Sequence, residues 1–182
     1  MLELALHILD ITENSTRAGA RRIDMNLEEN HEADLLTLEI SDDGAGMDPE
    51  TLSKALDPFY TTKKVRRVGL GLPMLAQAAE RTGGGLTLTS EPGRGTRLKV
   101  TFGLSHLDRQ PLGDLPGVIT TLLAGNPDIE FNYHHRCGDR VFALKTEDLK
   151  RELEDVPINH IEVLKYIRQY VKDGLQDIVS EA

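Results

Sequence analysis

The stretch "LLTLEISDDGAGMDPE", Leu35 to Glu50, joins an alternating apolar–polar run to a glycine-rich turn. Alternation at Leu36, Leu38 and Ile40 predicts a strand with one buried face, and Pro49 starts the next element. The turn holds a D-x-G-x-G pattern at Asp42, Gly44 and Gly46. A carboxylate at a strand end can accept a hydrogen bond from an exocyclic amine. Glycines beside it let a flat ring approach the backbone. Taken alone, such a turn is weak support for a site, because most glycine-rich turns only reverse the chain.

Moving outward, the same strand is preceded by "EENHEAD" (28–34), read as an exposed turn, and by a strand over 21–27. Residues 2–18 read as a helix lying on a sheet, ended by Gly19. Within it, Asp10 and Asn14 stand four apart and so share a helix face. Downstream, "PETLSKAL" (49–56) reads as a short helix and "YTTKKVRRVG" (60–69) as a basic loop. The loop leads to Gly69, Leu70, Gly71 and Leu72 at the start of a helix over 70–83. Backbone N–H groups exposed by glycines at a helix N-terminus suit a phosphate. "GGLTLTSEPGRGTRLKVTF" (84–102) reads as a hairpin turning at 91–95, with Thr96 a further polar contact. The order is helix, two strands, helix, loop, helix, two strands. It predicts an α+β fold, a two-layer α/β sandwich with helices on one face of a mixed sheet.

These features, in this order, resemble the Bergerat-fold ATP-binding domain of histidine kinases, gyrases, Hsp90 chaperones, mismatch-repair ATPases and anti-sigma serine kinases. "DPFYTTK" followed by "GLGLPMLAQAAERTGGG" is most similar to histidine kinases, whereas "ENSTRAGA" is close to the mismatch-repair enzymes. The resemblance implies ATP and Mg²⁺ as ligands. Asn14 would coordinate Mg²⁺, and Asp42 would take the adenine amino group. Gly44, Gly46 and Met47 would line the base pocket, with Thr96 beside Asp42. Residues 60–68, including Thr61, Thr62 and Lys63, would be the ATP lid, and Gly69 to Leu72 would meet the phosphates. Arg17 stands where the kinases commonly carry a phosphate-contacting lysine. Arg67 stands where they often carry the first glycine of the lid motif. Asp10 occupies the place of a catalytic Glu in the hydrolytic members, one methylene shorter, so its service as a base stays open.

The division expected is an ATP-binding domain over 1–104 and an α+β extension over 105–182. The extension starts with a proline- and glycine-bearing linker (105–116). It continues with a helix near 116–124, strands near 129–135 and 140–145, and a helix near 147–153. A last helix is expected from Asn159, with Glu162 completing a capping box. That helix carries one apolar stripe, Ile161, Leu164, Ile167, Val171, Leu175 and Ile178, read as internal packing with a homodimer seam as the alternative. His134, His135 and Cys137 are close in sequence, but adjacent strand residues point to opposite faces, so no zinc site is assigned to them. His7 is read as structural. With His7 the only histidine ahead of the ATP-binding pattern, a stand-alone ATP-binding protein without a phosphoacceptor domain is expected.

A net charge of -9 argues against nucleic acid as a partner. The single cysteine fits a reducing cytoplasm, and no apolar run is long enough to span a membrane. Three roles follow from these readings: phosphotransfer to a protein partner, slow ATP hydrolysis as a switch, or nucleotide sensing without chemistry. The partner surface is expected on residues 105–182.

Overall fold

Strand β1 (Arg22–Asn30) is the seam between the two parts of the chain. The computed structural model describes residues 3–57 and 71–179. On one side β1 pairs antiparallel with β2 (Leu35–Asp42), which pairs with β4 (Gly95–Gly103), and β4 pairs with β3 (Gly85–Glu91). On its other side β1 pairs in parallel with β5 (Glu130–Cys137), whose antiparallel partner is β6 (Arg140–Lys145). The result is one six-stranded mixed sheet, ordered β3-β4-β2-β1-β5-β6. The strands expected in the extension therefore continue the same sheet across position 104. Without β5, the N–H and C=O groups along that edge of β1 would lack sheet partners.

Period-2 patterning decides which face is buried. Ile23, Met25 and Leu27 of β1 face the core with Leu36, Leu38 and Ile40 of β2. Leu98, Val100 and Phe102 of β4 and Phe131 and Tyr133 of β5 complete the buried face. Among the described residues, four helices cover it. They are α1 (Leu4–Arg17), α3 (Gly71–Arg81), α4 (Leu115–Gly125) and α6 (Ile161–Val179). The short helix α2 (Pro49–Lys54) follows the glycine turn and is capped by Asp48, whose carboxylate accepts the Thr51 N–H at 2.7 Å. Helix α5 (Thr146–Leu153) leads from β6 towards α6.

Residues 105–116, which composition marks as a linker, are tied to the first domain. The carbonyls of Pro111 and Leu112 accept the N–H groups of Leu4 and Ala5 at 3.0 and 2.8 Å. These are orphan donors of the first turn of α1, which lacks a side-chain cap. The segment then enters α4 through Asp114, which accepts the Gly117 N–H and also pairs with Arg168 of α6.

At the last helix the capping box expected from Asn159 and Glu162 does not form. Asn159 lies in a turn closed by the His160 N–H to the Pro157 carbonyl, and the helix begins at Ile161. The Glu162 N–H donates instead to His160 Nδ1, and the Glu162 side chain pairs with Lys165. Most of the apolar stripe is spent inside the chain: Ile167, Val171 and Ile178 are buried and Leu164 and Leu175 partly so, while Ile161 stays exposed. Gly174 admits Phe142 of β6 so closely that a Cβ there would stand 2.2 Å from its ring.

Candidate functional site

The site is built where β2 ends, under the C-terminal half of α1. Asp42 is the last residue of β2, directly opposite Thr96 of β4. Its two oxygens are held from different elements. Ser15 of α1 donates its hydroxyl to Asp42 Oδ2 at 2.6 Å, and the Gly44 N–H donates to Oδ1 at 2.9 Å. Ser15 is itself buried. Two oriented donors hold the carboxylate in one rotamer, and each oxygen keeps a further lone pair for an incoming N–H.

Close backbone packing explains the glycines around Asp42. Gly46 has φ +67°, and a Cβ on it would lie 2.0 Å from the Glu91 carbonyl oxygen. Gly95, with φ +85°, passes Asp42 so tightly that a Cβ would be 1.9 Å from the Asp42 carbonyl oxygen. The turn is clamped on both sides: Ala45 donates to the Ala18 carbonyl at 2.9 Å and accepts from the Gly93 N–H at 2.7 Å. Met47 is fixed by its N–H to Ser90 Oγ at 2.8 Å, and Ser90 also touches Thr96 Oγ1 at 2.9 Å. Asp43 points the other way and accepts the N–H groups of Arg21 and Arg22 at 2.7 and 2.9 Å. Partial burial pushes its carboxyl up, but those backbone donors outweigh it and hold Asp43 below the ordinary carboxylate range.

On α1, Asp10 is half-buried and Asn14 exposed, one turn apart along the helix. Asp10 lies against the first residue of α3, since a Cβ at Gly71 would stand 1.8 Å from Asp10 Oδ2. The carboxylate thus sits at the positive end of the α3 dipole, at the helix start that the sequence reading expects to meet phosphate. Arg17 is half-exposed and folds back on its own helix. Its Nε donates to the Glu13 carbonyl at 3.0 Å, and its guanidinium lies 3.6 Å from the Glu13 carboxylate. Thr61, Thr62, Lys63, Gly69 and Leu70, expected in the lid and phosphate loop, lie outside the described residues.

Sequence reasoning passed over Ser15 and Ser90. Ser15 stands on the same helix as Asn14 but turned inward, and only the packing of α1 over the end of β2 shows what it holds. Ser90 follows the strand alternation of β3, so no local pattern separates it from an ordinary strand serine.

Comparison with known proteins agrees with this fold. Residues 2–106 match the family described as histidine kinase-, DNA gyrase B-, and HSP90-like ATPase. Among curated proteins, the chain is 41% identical over 70 residues to the sensor kinase CckA of Brucella abortus, covering 38% of this chain and 7% of that one. It is 40% identical over 89 residues to the sensor protein kinase FleS of Pseudomonas aeruginosa, covering 49% of this chain and 22% of the relative. The chain therefore spans less than a quarter of these relatives. Among solved structures, the N-terminal domain of a DNA repair protein superposes with a TM-score of 0.60 at 17% identity, over 80% of this chain and 53% of that one. The Aquifex aeolicus MutL ATPase domain complexed with ADP superposes with a TM-score of 0.53, also at 17% identity, over 85% of this chain and 68% of its own. Both superpositions take in more of the chain than residues 2–106, so the shared fold reaches into the part beyond β4. From its N-terminal helix through β4, this chain belongs to the histidine kinase-, DNA gyrase B- and HSP90-like ATPase family, with an ATP-binding domain of the kind found in histidine kinases.

Proposed function

We propose that the chain binds Mg²⁺–ATP and acts as a kinase-like regulatory ATPase on a protein partner, in the manner of the anti-sigma serine kinases. The observation that carries this reading is the Asp42 carboxylate, held by Ser15 and Gly44 at the floor of a glycine turn. That arrangement suits the amino group of adenine, and α3 begins on the same side as Asp10. Asn14 is the Mg²⁺ ligand and Thr96 supports Asp42, while residues 60–72 cover and grip the phosphates. Asp10 is the base, taking a proton from a partner hydroxyl or from water as the γ-phosphoryl leaves. The partner docks on residues 105–182 in the cytoplasm. That region exposes Leu107, Val156 and the stacked pair Tyr166–Tyr170, whose ring centroids are 6.3 Å apart.

A second reading, a nucleotide sensor without chemistry, is favoured by one feature. Asp10 is a methylene shorter than Glu and lies against Gly71, where it competes with an incoming phosphate for the α3 N-terminus. One experiment separates the two: incubation with Mg²⁺ and γ-labelled ATP, comparing wild type with Asp10→Asn and Asn14→Ala. Phosphate release or transfer that falls by about 10²–10⁴-fold in Asp10→Asn, with binding retained, supports the catalyst. Tight binding without turnover, alone or with candidate partners, selects the sensor. A wild-type chain that binds no adenine nucleotide sinks both.

A further inference from the structure

The end of β1 remote from Asp42 carries a second constellation. Glu29 is paired in register with Cys137 of β5, and His31 follows two residues beyond Glu29. One donor atom from each of Glu29, His31 and Cys137 can be chosen so that all three lie within 4.8 Å of one another. Cys137 Sγ and His31 Nε2 are 3.5 Å apart. Behind them runs a buried hydrogen-bonded chain: His135 Nε2 lies 2.7 Å from Glu29 Oε1, and the Tyr133 hydroxyl lies 3.0 Å from His135 Nδ1. The Nε2–H of His135 donates to the Glu29 carboxylate, and its Nδ1 hydrogen-bonds the Tyr133 hydroxyl on the other side of the ring. This is the way outer-shell groups orient a metal-binding carboxylate.

We propose that Glu29, His31 and Cys137 form a site for a Zn²⁺-class transition metal ion, with a fourth position open to water or another small donor. The donor set decides the metal class. A thiolate and an imidazole suit zinc and its neighbours, whereas Mg²⁺ and Ca²⁺ want oxygen ligands alone. Zinc–ligand bonds of about 2.0–2.3 Å place tetrahedral donors roughly 3.3–3.8 Å apart. The Sγ–Nε2 separation of 3.5 Å already falls there. All three atoms lie within 4.8 Å of one another, so the set needs a closure of at most about 1 Å, and His31 stands in an exposed turn. On binding, the Cys137 thiol gives its proton to solvent and the thiolate takes the metal.

The ion ties the end of β1 to β5, the strand by which residues beyond the ATPase domain join its sheet. From Ile23, opposite Asp42, to Glu29 is six residues of strand, about 20 Å. The site is therefore separate from the one that would hold Mg²⁺–ATP, and it does not depend on the proposed function.

The test is titration of the tag-free, nucleotide-free chain with Co²⁺, followed by absorption spectroscopy and competition with Zn²⁺. Wild type is expected to bind one Co²⁺ with a thiolate-to-cobalt charge-transfer band that Zn²⁺ abolishes. Cys137→Ser should lose the band. His31→Ala, on an exposed turn where the fold is not at stake, should weaken binding at least about tenfold. Folding of each variant is checked by circular dichroism. No charge-transfer band in folded wild type, a band unchanged in Cys137→Ser, or equal Co²⁺ affinity in His31→Ala would overturn the proposal.

Discussion

Gly95 and Gly93 stand two residues apart in one hairpin turn, both at positive φ, yet they tolerate a side chain differently. Nothing lies within 4 Å of a Cβ placed on Gly93, whereas one on Gly95 would overlap the Asp42 carbonyl. Gly93→Ala is expected to cost about 1 kcal/mol of backbone strain, and Gly95→Ala about 2–3 kcal/mol with weakened nucleotide binding, because the main chain bearing Asp42 must move. Urea unfolding and nucleotide titration of the pair check this. Asp43 supports a pH prediction. Its folded pKa is depressed, so its contribution to stability is present at neutral pH and is lost as pH falls through the folded value, below its ordinary 3.8. Wild type should therefore exceed Asp43→Asn in unfolding midpoint at pH 7, with the gap closing towards pH 3. A gap independent of pH would contradict the assignment. The features whose placement was readable in advance, Asp42 at the end of its strand and the glycines of the turn after it, are those whose backbone context is local. Ser15 was not, because its partner is 27 residues away and its orientation depends on how α1 seats on the sheet.

Among the elements, α6 shows how a sequence pattern can leave two outcomes open. Its stripe is read as internal packing with a second copy as the alternative, and β6, β5 and α4 take up most of it within the chain. Ile167→Ala should then destabilise by about 2–5 kcal/mol, whereas exposed Tyr166→Ala should stay within about 0.5 kcal/mol. Thermal unfolding of both variants decides. Similar, small effects would mean that α6 is not part of the core. The start of α6 also shifted from the expected place, because a proline turn engages Asn159 and leaves His160 as the capping side chain. Capping patterns describe which groups are able to bond, and competing turns decide which of them do.

For the whole molecule, the consequence of a shared sheet is that the ATPase region is bounded on one side by strand pairing with β5. A chain ended at residue 104 removes β5 from the β1 edge and α4 from its packing against α1. It is expected to be insoluble, or to unfold without a cooperative transition, when expressed alone and followed by circular dichroism. A stable, nucleotide-binding fragment would show that the parts fold independently. The amino-acid sequence by itself determined the strands through period-2 burial, the helices through their stripes, and the identity of the glycine turn and the Asp10–Asn14 face. Each of these depends on neighbours within a few residues. Only the tertiary structure decided that β5 lies parallel to β1, that Ser15 holds Asp42, and that Cys137 meets Glu29 and His31 rather than its sequence neighbour His134. Those contacts join residues 27 to 108 positions apart. Their pairing is set by which buried faces and unpaired strand edges satisfy one another, and no local pattern records it.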